Sequence, residues 1–205
     1  MATSSRFSPN SPMILGAFVF LGGFTMMAFE IMAARLVSPF LGSSLQTWTA
    51  VIAAVLLGIV AGSRLGGYLA DRFHHARLLG WLLAFSGLFA ALAYLIAFTI
   101  GPILSASTLP LPLLTLIFCV SVFFPPAAIS ASITPAAVRV GLDSLDRTGR
   151  VYGMLGAWNS AGSILGTYLT GFVFQAYFST RQVWFLLAIL LMIVGCVYLM
   201  RIRRV

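Results

Sequence analysis

Glu30 is the one acid set well inside an apolar run of this sequence. An ionisable group in hydrocarbon is by default a functional candidate, because its surroundings disfavour its charge. Arg35 follows five residues later, near Glu30 but not stacked on it along a helix. The two admit two readings: an ion pair closing the outer ends of the first two spans, or a carboxylate that binds a proton or a cation. The other acids, Asp71, Asp143 and Asp146, fall in polar connections, and twelve arginines without a lysine bring the net charge to +8.

A second group of side chains is uncharged. Pro125 and Pro126 precede Ser130, Ser132, Thr134 and Pro135. Each proline removes a backbone donor, so this segment is expected to kink, with the hydroxyls satisfying the freed carbonyls. Asn159, Ser160, Ser163 and Thr167 form a polar strip at helical spacing further on. Ser130, Ser132, Thr134, Asn159, Ser163 and Thr167 can together line a small cavity, or they can make interhelical hydrogen bonds worth about 1 kcal/mol each, which is the expected role. His74 and His75 are adjacent and point apart, with no clustered Cys, Asp or Glu at metal-site spacing, so no metal is expected. Cys119 and Cys196 lie in apolar runs and read as small core residues. No nucleotide loop, no His-Glu-x-x-His helix and no Ser/His/Asp set is present, so neither a cofactor nor a self-contained enzyme is expected.

The elements that must position these residues are membrane helices. The 205 residues are 60% hydrophobic and 8% charged, with a mean hydropathy of +1.04, whereas soluble domains carry about 25% charged residues. Six apolar segments, at about 12–37, 47–69, 77–100, 111–138, 151–177 and 181–200, each approach the roughly 20 residues a crossing needs. A polar stretch, 1–11, and a basic tail, 201–205, flank this all-α membrane domain of 12–200. The first apolar run exceeds the core of a signal peptide, about 7–15 residues, and reads as a retained span. Arg6, Arg64, Arg72, Arg77, Arg139, Arg147, Arg150, Arg201, Arg203 and Arg204 fall on one side of such a bundle, against Arg35 and Arg181 on the other. That asymmetry places both termini in the cytoplasm and favours an even number of crossings. The expected location is a bacterial inner membrane, with the lipid bilayer as the first partner and no role for nucleic acid.

Span two and span five share a local pattern. Ala61-Gly62-Ser63-Arg64-Leu65-Gly66-Gly67-Tyr68-Leu69 aligns with Ala161-Gly162-Ser163-Ile164-Leu165-Gly166-Thr167-Tyr168-Leu169. Three crossings apart, the copies would run in opposite senses, as in an inverted repeat of 12–100 and 111–200. Gly58, Gly62 and Gly66, with Gly162 and Gly166, form flat ridges on which other helices can pack closely.

Two resemblances follow from these residues. The run from Gly66 to Arg77 resembles the Gly-x-x-x-Asp-Arg-x-x-x-Arg signature of the major facilitator superfamily, which implies that Asp71, Arg72 and Arg77 latch cytoplasmic helix ends. Glu30, Arg35-Leu36, Leu41 to Ser44, Trp48-Thr49, Gly58 to Arg72, Ile133 to Pro135, Arg147 to Tyr152 and Gly162 to Thr167 together resemble the transmembrane region of membrane-bound spermidine-synthase-like proteins. That family implies a facilitator-like membrane part fused to a soluble aminopropyltransferase domain. The sequence stops at Val205 without one, so no catalytic residue carries over. Two functions are then open. The favoured one is a non-catalytic subunit that anchors or assembles with another membrane or membrane-associated protein, such as a synthase-like partner at the cytoplasmic face. The alternative is a half-size facilitator that pairs with a second copy of itself and moves a small organic molecule.

Overall fold

The computed structural model describes residues 11–73, 75–142 and 148–202, and they are helical almost throughout, with no strand among them. The helices are α1 (Pro12–Leu41), α2 (Leu45–Arg72), α3 (Arg77–Ser105), α4 (Leu111–Ala131), α5 (Ile133–Gly141), α6 (Thr148–Tyr168), a π-helical turn (Leu169–Phe174), α7 (Gln175–Tyr177) and α8 (Thr180–Ile202). Five stretches are long and apolar enough to cross a membrane: α1, α2, α3, the run Leu111–Gly141 and α8. The sixth, α6 with the π turn and α7, is comparable in reach but diluted by Gly153, Gly156, Asn159 and Ser160. The polar start, His74, Asp143, Asp146, Arg147 and the end of the basic tail lie outside the described residues.

The helices overrun the apolar segments. Pro39 sits in the last turns of α1 and Pro102 in those of α3, so the first connection shrinks to Gly42–Ser44. Gly42 turns the chain with φ +74, a conformation glycine adopts without steric penalty. Ser44 then caps α2, its hydroxyl accepting from the Thr47 amide at 3.2 Å. The segment expected to kink is interrupted at Ser132, between α4 and α5, while α4 continues as helix through Pro125 and Pro126. The cause of the interruption is Pro135, whose ring excludes the carbonyl four residues earlier, that of Ala131. The Ser132 hydroxyl lies 2.9 Å from the Ala128 carbonyl and 2.8 Å from that of Gly62, so it bridges two helices and does not repair a carbonyl freed by Pro125 or Pro126.

Three helix pairs dominate the packing: α2 with α4, α1 with α6, and α3 with α8. Glycine decides each. A methyl added at Gly58 would lie 2.9 Å from the Phe124 carbonyl oxygen; at Gly62 it would overlap the Ala128 carbonyl, and at Gly66 it would come within 2.5 Å of the Ser132 carbonyl. On the other side Gly162 faces the Phe20 carbonyl, Gly166 faces the Phe24 carbonyl, and the Trp158 indole covers Gly16. In both pairs the contacting residue numbers rise together, so the partners run parallel. Gly195 instead meets Gly80 and Ala84, while Gly87 meets Ala188, so α3 and α8 run antiparallel. This is the sense expected of successive crossings: spans two and four, and one and five, are an even number of crossings apart. Trp184 and Phe118 are among the largest side chains in the buried core, and Cys119 lies there too. Cys196 is exposed on α8, not a core residue, because on that helix Leu191, Gly195 and Tyr198 form the inward face.

Gly66 and Gly67 separate packing from propensity. Gly66→Ala should lower the melting temperature in detergent, because overpacking against a backbone typically costs about 1–3 kcal/mol. Gly67→Ala, with nothing within 4 Å of the added methyl, should be neutral or stabilise by up to about 1 kcal/mol through helix propensity. Equal effects of the two changes would show that the α2–α4 seam does not depend on backbone contact.

Candidate functional site

The parallel pairs do not close completely on one another. Between α1 and α6 on one side and α2, α4 and α5 on the other lies a cleft of about 560 Å³. Asp71, Arg139, Leu142 and Tyr152 line the end nearest the start of α6, and Met26, Ser130, Asn159 and Ser163 line the inner part. Of the uncharged polar residues expected to act together, Ser130, Thr134, Asn159 and Ser163 line this cleft. Ser132 is buried in the α2–α4 seam, and Thr167 is exposed outside the cleft. Ser130 is further fixed by a 2.5 Å hydrogen bond with Ser86 of α3. The sequence also held Ser63, Tyr152 and Arg139, which complete the polar lining.

A smaller cavity of about 30 Å³ adjoins the inner end, sharing Met26 and Ser130 with the cleft. Glu30, half-buried, lines it together with Phe29, Val55, Phe123 and Trp184. The aromatic wall is held together: the Phe29 and Trp184 ring centroids are 4.8 Å apart and those of Phe123 and Trp184 6.4 Å apart. The Trp184 indole donates to the Ala90 carbonyl at 2.7 Å, which fixes its plane. Away from the cleft the bundle is filled by Phe40, whose ring packs on Phe98 at 5.3 Å and on Phe118 at 5.8 Å.

Glu30 and Arg35 are not paired in this structure. Arg35 donates to the Gln175 carbonyl at 3.2 Å, and the Gln175 amide donates back to the Ile31 carbonyl at 3.4 Å. The cause is the π turn Leu169–Phe174, which sets Gln175 beside α1. Gln175 stands in the short α7, which ends at Tyr177, so its carbonyl is one of the unpaired carbonyls of a helix end and a guanidinium at the end of a span can reach it. Among the described residues the one salt bridge is between Asp71 and Arg139, at 3.2 Å. The latch therefore joins Asp71 to Arg139 on α5 rather than to its sequence neighbours. Arg72 instead donates to the Tyr68 hydroxyl at 3.3 Å and lies over the Phe73 ring, and Arg77 opens α3. Arg139 was visible in the sequence only as one more arginine of the basic side, since its partner is 68 residues away.

With Arg35 committed to a carbonyl, removal of Glu30 leaves no newly unpaired arginine. In a thermal-stability cycle, Glu30→Gln and Arg35→Gln should be additive to within about 0.5 kcal/mol. Recovery of stability in the double variant would restore the ion pair. Asp71→Asn should cost only about 0–1 kcal/mol, because both partners of the latch are solvent-accessible, 74% exposed at Asp71 and 42% at Arg139.

Compared with family models, with curated proteins and with solved structures, the chain shows no match in any of the three. Its cleft and the Glu30 cavity are thus the features from which a function has to be argued.

Proposed function

We propose that this chain is a half-size, facilitator-like membrane carrier that admits a small organic solute into the cleft between its parallel helix pairs. One observation carries the reading: a cleft whose wall includes Ser63, Thr134, Asn159 and Ser163 adjoins a cavity lined by Glu30, a carboxylate with no basic partner among the described residues. A merely structural bundle would fill or hydrogen-bond such a space, since buried polar groups are stabilising only when satisfied. The arginine asymmetry supports a cytoplasmic orientation of the open end, at Asp71 and Arg139, with a bacterial inner membrane as the proposed location.

Glycine contacts consistent with an internal two-fold relation support the same reading. Let span one correspond to span four and span two to span five, with Gly16, Phe20 and Phe24 standing for Phe124, Ala128 and Ser132. Let Gly58, Gly62 and Gly66 likewise stand for Trp158, Gly162 and Gly166. The contacts of the α2–α4 seam then become those of the α1–α6 seam, residue for residue. The Gly80–Gly195 contact likewise becomes Ala188–Gly87. Repeats of opposite sense with a polar cavity at their interface are the usual architecture of alternating-access carriers. The anchoring role has no comparable support, because it requires a surface for a partner and makes no use of an internal polar cleft.

Transport is tested without naming the solute in advance. Proteoliposomes containing the chain, given a mixture of small metabolites, should retain at least one of them above protein-free liposomes by mass spectrometry. Asn159→Leu, which removes hydrogen-bonding capacity from the cleft wall, should reduce that retention severalfold. No retained solute, together with a stoichiometric partner protein copurifying in mild detergent, would replace the carrier with the anchoring subunit.

A further inference from the structure

The size and lining of the inner cavity narrow the ligand beyond that reading, on which the assignment of a carried solute rests. At about 30 Å³ the cavity next to Glu30 accommodates a water-sized group, but not a quaternary ammonium or a sugar ring. Its polar wall is a carboxylate and the Ser130 hydroxyl; its apolar wall includes the rings of Phe29, Phe123 and Trp184. Carboxylate oxygens accept hydrogen bonds, and aromatic faces attract cations and offer nothing to an anion. No basic side chain lines the cavity to compete. Arg35 is spent on the Gln175 carbonyl, and Arg139, at the far end of the cleft, on Asp71.

We infer that this cavity is a binding site for the head group of a primary aliphatic ammonium ion. The –NH3+ group fits beside Glu30, donating to its carboxylate and to Ser130, with the aromatic rings around it. The rest of the ligand extends past Met26 into the wider cleft, where Met27 and Ile59 offer an apolar path and Asn159 and Ser163 a polar one. The lining also sets the charge of the ligand. A second positive charge on the same molecule would lie in the cleft, where Asp71, the one acid among its described lining residues, already holds Arg139. The site thus takes monoamines in preference to polyamines.

Equilibrium binding of radiolabelled butylammonium to the purified full chain in detergent tests this, at mildly alkaline pH, where an aliphatic amine is still charged. Saturable binding is expected, undisturbed by excess butanol or sodium ion and weakened at least tenfold by Glu30→Gln. Because Glu30→Gln changes a half-buried residue, Val55→Leu is the second variant: it leaves the carboxylate in place and fills part of the cavity, and should weaken binding severalfold with an unchanged elution profile on gel filtration. Absence of saturable binding, equal binding to both variants and wild type, or full competition by butanol or sodium would each overturn the ammonium site. Binding and flux fail separately. Butylammonium binding without any retained solute would keep the site and remove the carrier, whereas retention of a non-amine solute with no ammonium binding would keep the carrier and remove the site.

Discussion

Close approach of helix backbones is the constraint on which this fold depends. Lipid is as apolar as a leucine side chain, so helices within a membrane gain little from burying leucine against leucine. They associate where small residues let main chains touch. Here the contacts between Gly62 and Ala128, Gly162 and Phe20, and Gly87 and Ala188 all reach backbone atoms. Contacts of that kind fix the axial register as well as the distance, because a shift by one residue would set a side chain against a carbonyl. The three pairs therefore behave as rigid units, and irregularity is displaced to the space between them. The cleft is that space.

Polar groups follow the same division. Inside the seams they are satisfied: the Ser132 hydroxyl lies against the Gly62 carbonyl, Ser86 bonds Ser130, and the Thr25 and Thr115 hydroxyls return to carbonyls four residues earlier at 2.8 and 2.6 Å. Such bonds are worth about 1 kcal/mol each and need no solvent. In the cleft, Asn159 and Ser163 stand on a wall that faces open volume, and Glu30 lines the small cavity beside it. The exceptions are the Ser107 hydroxyl and the Thr170 hydroxyl on the π turn, both buried without a partner among the described residues. Where a helix widens to the π form, the carbonyl that would ordinarily receive such a hydroxyl is displaced.

Most of the architecture was legible because it is written in local patterns. Apolar length gave the helices, and glycines four residues apart gave the faces on which they pack, since both signals lie within a single helix. The contacts that shape the site were not. Asp71 finds Arg139, and Arg35 finds Gln175, across separations of 68 and 140 residues, and neither partner stands out by type in an arginine-rich, glutamine-poor chain. Nothing in the spacing marks the π turn that brings Gln175 to Arg35, because Leu-Thr-Gly-Phe-Val-Phe reads as an ordinary apolar run. That the interruption would fall at Ser132 was not legible for a related reason. Pro125, Pro126 and Pro135 all stand inside the segment, and which of them interrupts the helix depends on how each carbonyl four residues back is accommodated, which is a matter of tertiary packing.

The identity of Glu30's neighbours then turns a general rule into a specific one. A membrane carboxylate beside an arginine is most simply structural, since each charge offsets the other's desolvation. Moving the arginine onto a backbone carbonyl removes that explanation, and the carboxylate is left without a basic partner among the described residues. Proton uptake would neutralise it, and so would a bound cation. The surroundings discriminate between these. A site built only to hold a proton is served by any apolar wall, whereas Phe29, Phe123 and Trp184 line the same cavity as the carboxylate, with Trp184 anchored through its indole to Ala90. Aromatic rings so placed stabilise a positive charge located in the cavity itself. The sequence feature that first marked Glu30, an acid out of place in an apolar helix, thus acquires its chemistry from residues on α4 and α8, which only the close packing of the helices brings to it.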